Sequence, residues 1–294
     1  AVPDALFDQD FLRKLEHLHI LSKQVFAGAF HAERTARRRG SGLEFADHRG
    51  YAPGDDFRHI DWRAYQRLGK LLLRLFEEEQ GLPIYLFVDH SRSMATGAPS
   101  KMHYARQVAA ALCYIGLAHL DRVALLGYSD TLGPELPGQR GKGQIFRVFD
   151  FLGSLDAGGG TNSAEALRAF RNRQSTPGVA VVISDFLDPA GAEAGLDALR
   201  YGRHDVFAVH ITSRADRHPP IGGDVRLQDA ETGDVRAIAI TPGLLTAYAR
   251  AFDVHCEAIA RHCDRYQLGY LRTSTDEPFE DAILKVFRLG RFLA

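Results

Sequence analysis

The stretch Ile84-Tyr85-Leu86-Phe87-Val88-Asp89-His90-Ser91-Arg92-Ser93 decides the reading of this chain. An apolar run rich in β-branched and aromatic residues, set behind Gly81-Leu82-Pro83, reads as a buried strand. The run stops abruptly at a carboxylate, and two hydroxyls follow at steps of two. A buried strand ending in Asp-x-Ser-x-Ser delivers one carboxylate and two hydroxyls to the rim of a sheet. Such an all-oxygen set is hard; it suits Mg²⁺ or Mn²⁺ and suits zinc poorly.

Outward from this strand, helical and strand patterns alternate. Helices are expected over 101–120, 144–155, 163–173 and 190–199, and strands over 123–128, 179–184 and 205–211. A Gly/Pro loop is expected between residues 128 and 144. The strands carry near-continuous apolar runs, which is the signature of a sheet covered on both faces. The rhythm then breaks at 224–239, where two short alternating segments around Glu231-Thr232-Gly233 predict a hairpin. Thr241-Pro242 is an N-cap and N1 pair. The helix behind it sets Leu245, Tyr248, Phe252, Cys256, Ile259 and Cys263 on one face. A strand over 267–272 and a helix from Pro278 close the chain. The expected class is α/β: a doubly wound, mostly parallel sheet flanked by helices.

At the other end, Phe7, Phe11, Leu15, Leu18, Leu21 and Val25 recur at steps of four and three and predict an amphipathic helix. A basic, turn-rich stretch from Arg34 to Gly42 reads as a solvated linker. The organisation expected is an N-terminal helical and β extension over 1–80, packing on a core domain over 81–294.

Composition narrows the function. The chain has 294 residues with 36 basic and 37 acidic side chains, so no global field argues for nucleic acid. The 30 arginines against 6 lysines are explained as well by nucleotide bias as by carboxylate recognition. Three cysteines are too few for a disulfide framework and fit a reducing compartment. No apolar run reaches the ~20 residues that span a bilayer. The opening residues lack the pattern of a signal peptide. A cytoplasmic location is expected.

Two other segments supply oxygens that match Asp89, Ser91 and Ser93. Gly158-Gly159-Gly160-Thr161 is a glycine loop opening a helix, and Val181-Val182-Ile183-Ser184-Asp185 is a second buried strand ending in a carboxylate. In a doubly wound sheet such strand ends gather at the topological switch point. A local role, in which Asp89 caps its own loop and the serines satisfy backbone groups, explains Asp89 but not Thr161 and Asp185. The five positions Asp89, Ser91, Ser93, Thr161 and Asp185 together resemble the metal-ion-dependent adhesion site of von Willebrand factor A domains. That resemblance implies a von Willebrand factor A-like core and a bound Mg²⁺, with Mn²⁺ as the substitute. It implies hydroxyls touching the ion, aspartates acting through water, and a coordination position left for a partner's carboxylate.

Upstream, Arg49, Asp55, Asp56, Arg58, Asp61 and Trp62 concentrate charge beside the one tryptophan of the chain. They read either as a salt-bridge network locking a small subdomain or as an interaction surface. The run Glu44-Phe45, Arg49-Gly-Tyr51, Gly54-Asp55-Asp56, Arg58-His-Ile60-Asp61-Trp62 resembles the signature of the bacterial domain-of-unknown-function family numbered fifty-eight. That resemblance implies a partner or adaptor of a MoxR-type AAA+ ATPase; the expected function is a metal-dependent interaction module, not an enzyme.

Competing constellations carry less. His255-Cys256 and His262-Cys263 repeat at a step of seven, but the cysteines fall on an apolar stripe. Gly138 to Gly143 lacks the spacing of a phosphate loop. His103, His119, Ser129 and Asp130 have no hydrolase spacing around them. The rival function is a Mg²⁺-dependent hydrolase or phosphotransferase at the same rim, for which His90 is the local base.

Overall fold

The computed structural model describes residues 7–22, 44–51, 60–77, 83–228 and 234–289, with the backbone alone for 44–49 and 74–77. The chain divides into two compact units, one made of residues 1–28 and 82–294 and the other of residues 29–81. The extension expected over 1–80 is thus split, its first helix going with the larger unit.

The larger unit is built on a six-stranded sheet. In chain order its elements are helix α1 (9–22), β3 (Ile84–Asp89), α3 (Lys101–Ala118), β4 (Val123–Tyr128), β5 (Leu132–Gln139), α4 (Ile145–Ser154), α5 (Ser163–Arg173), β6 (Val179–Ser184), α6 (Glu193–Tyr201), β7 (Asp205–Thr212), a short α7 (Arg214–Arg217), β8 (Gly223–Gln228), β9 (Val235–Ile240), α8 (Pro242–Arg265), β10 (Gly269–Ser274) and α9 (Phe279–Arg288). The smaller unit holds β1 (Glu44–Gly50), α2 (Trp62–Leu68) and β2 (Leu72–Glu77). The spatial order is β10-β7-β6-β3-β4-β5. All neighbours run parallel except β4 and β5. From β3 the chain winds outward through β4 to β5, then returns to β6 and winds the other way. The switch point therefore lies between β3 and β6, as the α/β reading required.

Alternation along the strands divides the core into two layers. Tyr85, Phe87, Ala180, Val182, Val206 and Ala208 face α5, α6 and α8, where Leu167, Phe170, Leu196, Leu199, Ile259 and Cys263 meet them. On the opposite face lies α3, which is buried almost throughout because its small residues Ala105, Ala109 and Gly116 let it approach the sheet closely. Helix α1 completes that layer. Its predicted apolar stripe is used: Leu15 and Leu18 are buried, and Phe11 sits among Phe7, Phe149 and Phe279. Each such side chain contributes roughly 1.5–3 kcal/mol on burial.

The expected Gly/Pro loop is corrected by the structure. Residues 132–139 form β5, the antiparallel edge strand, and its pairing shifts register around Gly133-Pro134 and Pro137-Gly138. Prolines and glycines hid the strand pattern because an edge strand tolerates both at bulges. The hairpin expected at 224–239 is β8 paired with β9, its turn lying outside the described residues, as does the linker Arg34–Gly42. No helix among the described residues is long and apolar enough to cross a membrane.

In the smaller unit β1 pairs antiparallel with β2. Asp61 caps α2 through its carboxylate, which accepts hydrogen bonds from the Arg63 and Ala64 N–H groups, both at 3.0 Å. Trp62 is 58% exposed, with Tyr65 edge-on to it. Arg49 is placed by its backbone in β1; Asp55, Asp56 and Arg58 lie outside the described residues.

Candidate metal centre

The rim at the β3–β6 switch point is built from backbone geometry first. Asp89 continues the row of Tyr85 and Phe87, and the next strand ends one step away with Ser184 in the equivalent row. The two ends are tied together: the Ser184 hydroxyl donates to Asp89 Oδ2 at 2.6 Å. The other oxygen of Asp89 accepts from the Ser91 N–H at 2.9 Å. Both bonds fix the carboxylate, which is fully buried. Burial, and then the neighbouring Asp185, push its pKa up to about 7.

The hydroxyls follow from the same turn. Ser91 is buried and its Oγ lies 3.1 Å from that of Ser93, which is half-buried in a single 3-10 turn (Arg92–Ala95). The glycine loop is stitched to this turn by backbone. The Gly158 N–H donates to the His90 carbonyl at 2.7 Å, and the Arg92 N–H to the Gly159 carbonyl at 3.3 Å. Gly159 takes a φ of +77°, and a Cβ there would lie 3.2 Å from Ser129 Oγ, so glycine is required for the approach. Thr161 is therefore held in a loop anchored on both sides. Behind it, Asn162 caps α5 and Asp188 accepts from both the N–H and the Oγ of Ser163, at 2.8 and 2.6 Å.

Asp185 points to the other face of the sheet, toward α3, and meets a cation that sequence reasoning missed. Lys101, at the first turn of α3, is fully buried; its Nζ donates to Asp185 Oδ2 at 2.7 Å and to Asp216 Oδ1 at 3.0 Å. Burial opposes the lysine's charge, but the two carboxylates outweigh it and raise its pKa. The remaining oxygen of Asp185 accepts from the Leu187 N–H at 3.1 Å. Asp216 is itself fixed by a capping box with Ser213. The signals were present: a lysine directly after an N-cap serine opposes the helix dipole, and Ser213-x-x-Asp216 is a capping-box pattern. Between these groups Phe186 holds a left-handed φ of +52° in a buried position. Its N–H is bound to Ser184 Oγ, and its carbonyl accepts from His255 Nε2 at 3.0 Å. Such strain persists only where neighbours over-determine it.

The spacing of the two serine hydroxyls is one that a small hard cation could bridge. Two cis ligands of an octahedral Mg²⁺ at ~2.1 Å lie about 3.0 Å apart, close to the separation of the two serine oxygens. The donor set holds two carboxylates and three hydroxyls. Among the described residues there is no group of three or more His, Cys, Asp or Glu that could hold a metal ion. His90, the base of the rival reading, is turned elsewhere: its Nδ1 lies 3.2 Å from the Asp156 carbonyl and its ring packs against Gly127 and Gly133. The histidines and cysteines of α8 also serve other ends. His255 binds the Phe186 carbonyl, His262 faces Asp197, and burial raises the thiols of Cys256 and Cys263.

Solved structures similar in fold include BatB of Bacteroides thetaiotaomicron, 16% identical over 71% of this chain and 98% of that one with a TM-score of 0.43. The SpRpn10 VWA domain is 11% identical over 72% of this chain and 98% of its own, with a TM-score of 0.40. In sequence, uncharacterized protein Rv1480 of Mycobacterium tuberculosis is 32% identical over 259 residues, 86% of this chain and 81% of that protein. Uncharacterized protein MAV169 of Mycobacterium avium is 34% identical over 128 residues, 44% of this chain and 75% of that protein. The profile described as "Protein of unknown function DUF58" matches residues 47–258, the greater part of the chain, and on that match the chain belongs to the DUF58 family.

Proposed function

We propose that this chain is a metal-dependent protein-interaction module, not an enzyme, and that its rim binds a partner's carboxylate through Mg²⁺ or Mn²⁺. The observation that carries the reading is the pair of serine hydroxyls 3.1 Å apart beside a buried, doubly hydrogen-bonded Asp89 at the switch point. Ser91, Ser93 and Thr161 would hold the ion, and Asp89 and Asp185 would supply negative charge. When bound, the ion would supply a positive centre able to take a carboxylate ligand. The partner we propose is a MoxR-type AAA+ ATPase, on the family resemblance of the Arg49–Trp62 segment, and such a partner places the module in the cytoplasm. His90, the local base of the rival reading, faces the Asp156 carbonyl rather than the serine hydroxyls.

Calorimetric titration with Mg²⁺, followed by capture of the ATPase with and without chelator, tests the reading. Asp89→Ala is expected to lose both ion and partner. A variant that binds Mg²⁺ and the ATPase like the parent would sink the proposal.

A further inference from the structure

The rim carries a cation of its own, a lysine. Lys101 is the first residue of α3, where an ammonium sits against the positive end of the helix dipole. It is also stripped of water, at 0% exposure. Both effects disfavour a lysine, and neither is needed for packing, since an aliphatic chain fills the same space. What offsets them is a pair of carboxylates from two different strand ends, Asp185 after β6 at 2.7 Å and Asp216 in α7 after β7 at 3.0 Å. Asp216 is placed for this by Ser213, whose N–H donates to its other oxygen at 2.7 Å. The lysine is therefore clamped rather than loosely paired.

We propose that Lys101 is a specificity-determining residue of the rim: its ammonium competes with the divalent ion for Asp185, so that the module alone binds the ion weakly and an acidic partner is needed to hold it. The inference rests on the metal reading above and adds the residue that sets its strength. With Asp185 already committed to the ammonium, an ion at the serines meets one uncompensated carboxylate, Asp89. It keeps positive charge toward solvent, which an outside carboxylate satisfies. Asp216 holds Lys101 and acts through it, and is a positioning residue.

The experiment is calorimetric titration of the whole chain with Mg²⁺, with thermal melting in Mg²⁺ and in chelator as the second readout. Lys101→Met releases Asp185. The double variant Lys101→Met/Asp216→Asn does the same while removing one charge of each sign, so that the buried cluster keeps its total charge. Both are expected to bind Mg²⁺ at least about tenfold more tightly than the parent, the scale of one nearby charge at intermediate dielectric. Both should also gain more melting temperature from Mg²⁺ than the parent does. If the parent binds Mg²⁺ and a folded variant binds it no more tightly, the lysine does not compete and the inference is overturned while the metal reading stands. If parent and folded variants all fail to bind, both fall together. If neither variant folds even in Mg²⁺, the ion cannot stand in for the ammonium, and the inference is likewise overturned.

Discussion

Ser184 shows how much rests on single hydroxyls at this rim. It donates to Asp89 Oδ2 and accepts from the Phe186 N–H, so one side chain fixes a buried charge and a strained turn together. Removing it leaves a buried acceptor unsatisfied, which costs about 1–3 kcal/mol. Ser184→Ala is expected to lose that much in urea unfolding and to weaken Mg²⁺ binding as well. The carboxylate it serves has a raised pKa, about 7, so protons and metal contend for the same group. Mg²⁺ affinity is therefore expected to fall on acidification below about pH 7 and to level off above it, as titrations at several pH values would show. His210 behaves oppositely. Burial first, then His255 and Arg272, depress its pKa from 6.5 to about 3. The folded state refuses a proton that the unfolded chain accepts, so the contribution is complete above pH 6.5 and is lost as pH falls toward 3. His210→Gln should flatten that loss by on the order of 1 kcal/mol per pH unit, read from the difference in urea midpoints between variant and parent. Asp89, Ser91 and Ser93 were legible because their spacing is local. Lys101 and Asp216 were not, because what gives them meaning is a meeting of α3, β6 and α7 across 115 positions of sequence.

Elements were legible in proportion to how regular their burial is. Strands β3, β4 and β6 are buried at every position and stand out as apolar runs. Helix α8 was found from its Thr241-Pro242 start, and Thr241 does cap it, accepting from the Leu244 N–H at 3.2 Å. Its predicted stripe is buried only in part: Cys256, Ile259 and Cys263 are in the core, whereas Tyr248 is exposed. Periodicity announces an amphipathic face but not how far along the helix a partner surface extends. Strand β10 adds a point that periodicity cannot express. Gly269 lies opposite Phe207 of β7, and a Cβ at Gly269 would stand 2.1 Å from that ring. Gly269→Ala is expected to cost roughly 1–3 kcal/mol, because the added methyl meets a buried ring that must shift. A melting temperature equal to the parent's would refute that account.

At the scale of the molecule, the larger unit is assembled from chain segments on either side of the smaller one. Helix α1 closes the layer beneath α4 and α9, with Phe7 stacked on Phe149 at 4.3 Å and Lys14 paired to Glu280 at 2.7 Å. The sequence stripe revealed the helix but not its address. The aromatic partners lie some 140 and 270 positions away, and nothing local points to them. Leu15, at 0% exposure, is the anchor: Leu15→Ala is expected to cost 2–5 kcal/mol in global unfolding, with Mg²⁺ binding at 25 °C retained because the switch point is built without α1.

One feature of the sheet bears on how the molecule keeps company. A parallel sheet with a free flank invites any extended chain to dock beside it. Strand β5 faces that hazard with Pro134 and Pro137, which lack an N–H to offer, and with an offset next to each. An incoming strand would find its ladder broken twice within eight residues. Recruitment by strand addition is thus discouraged on the flank that follows β4, leaving recognition to side chains and loops rather than to main-chain annealing.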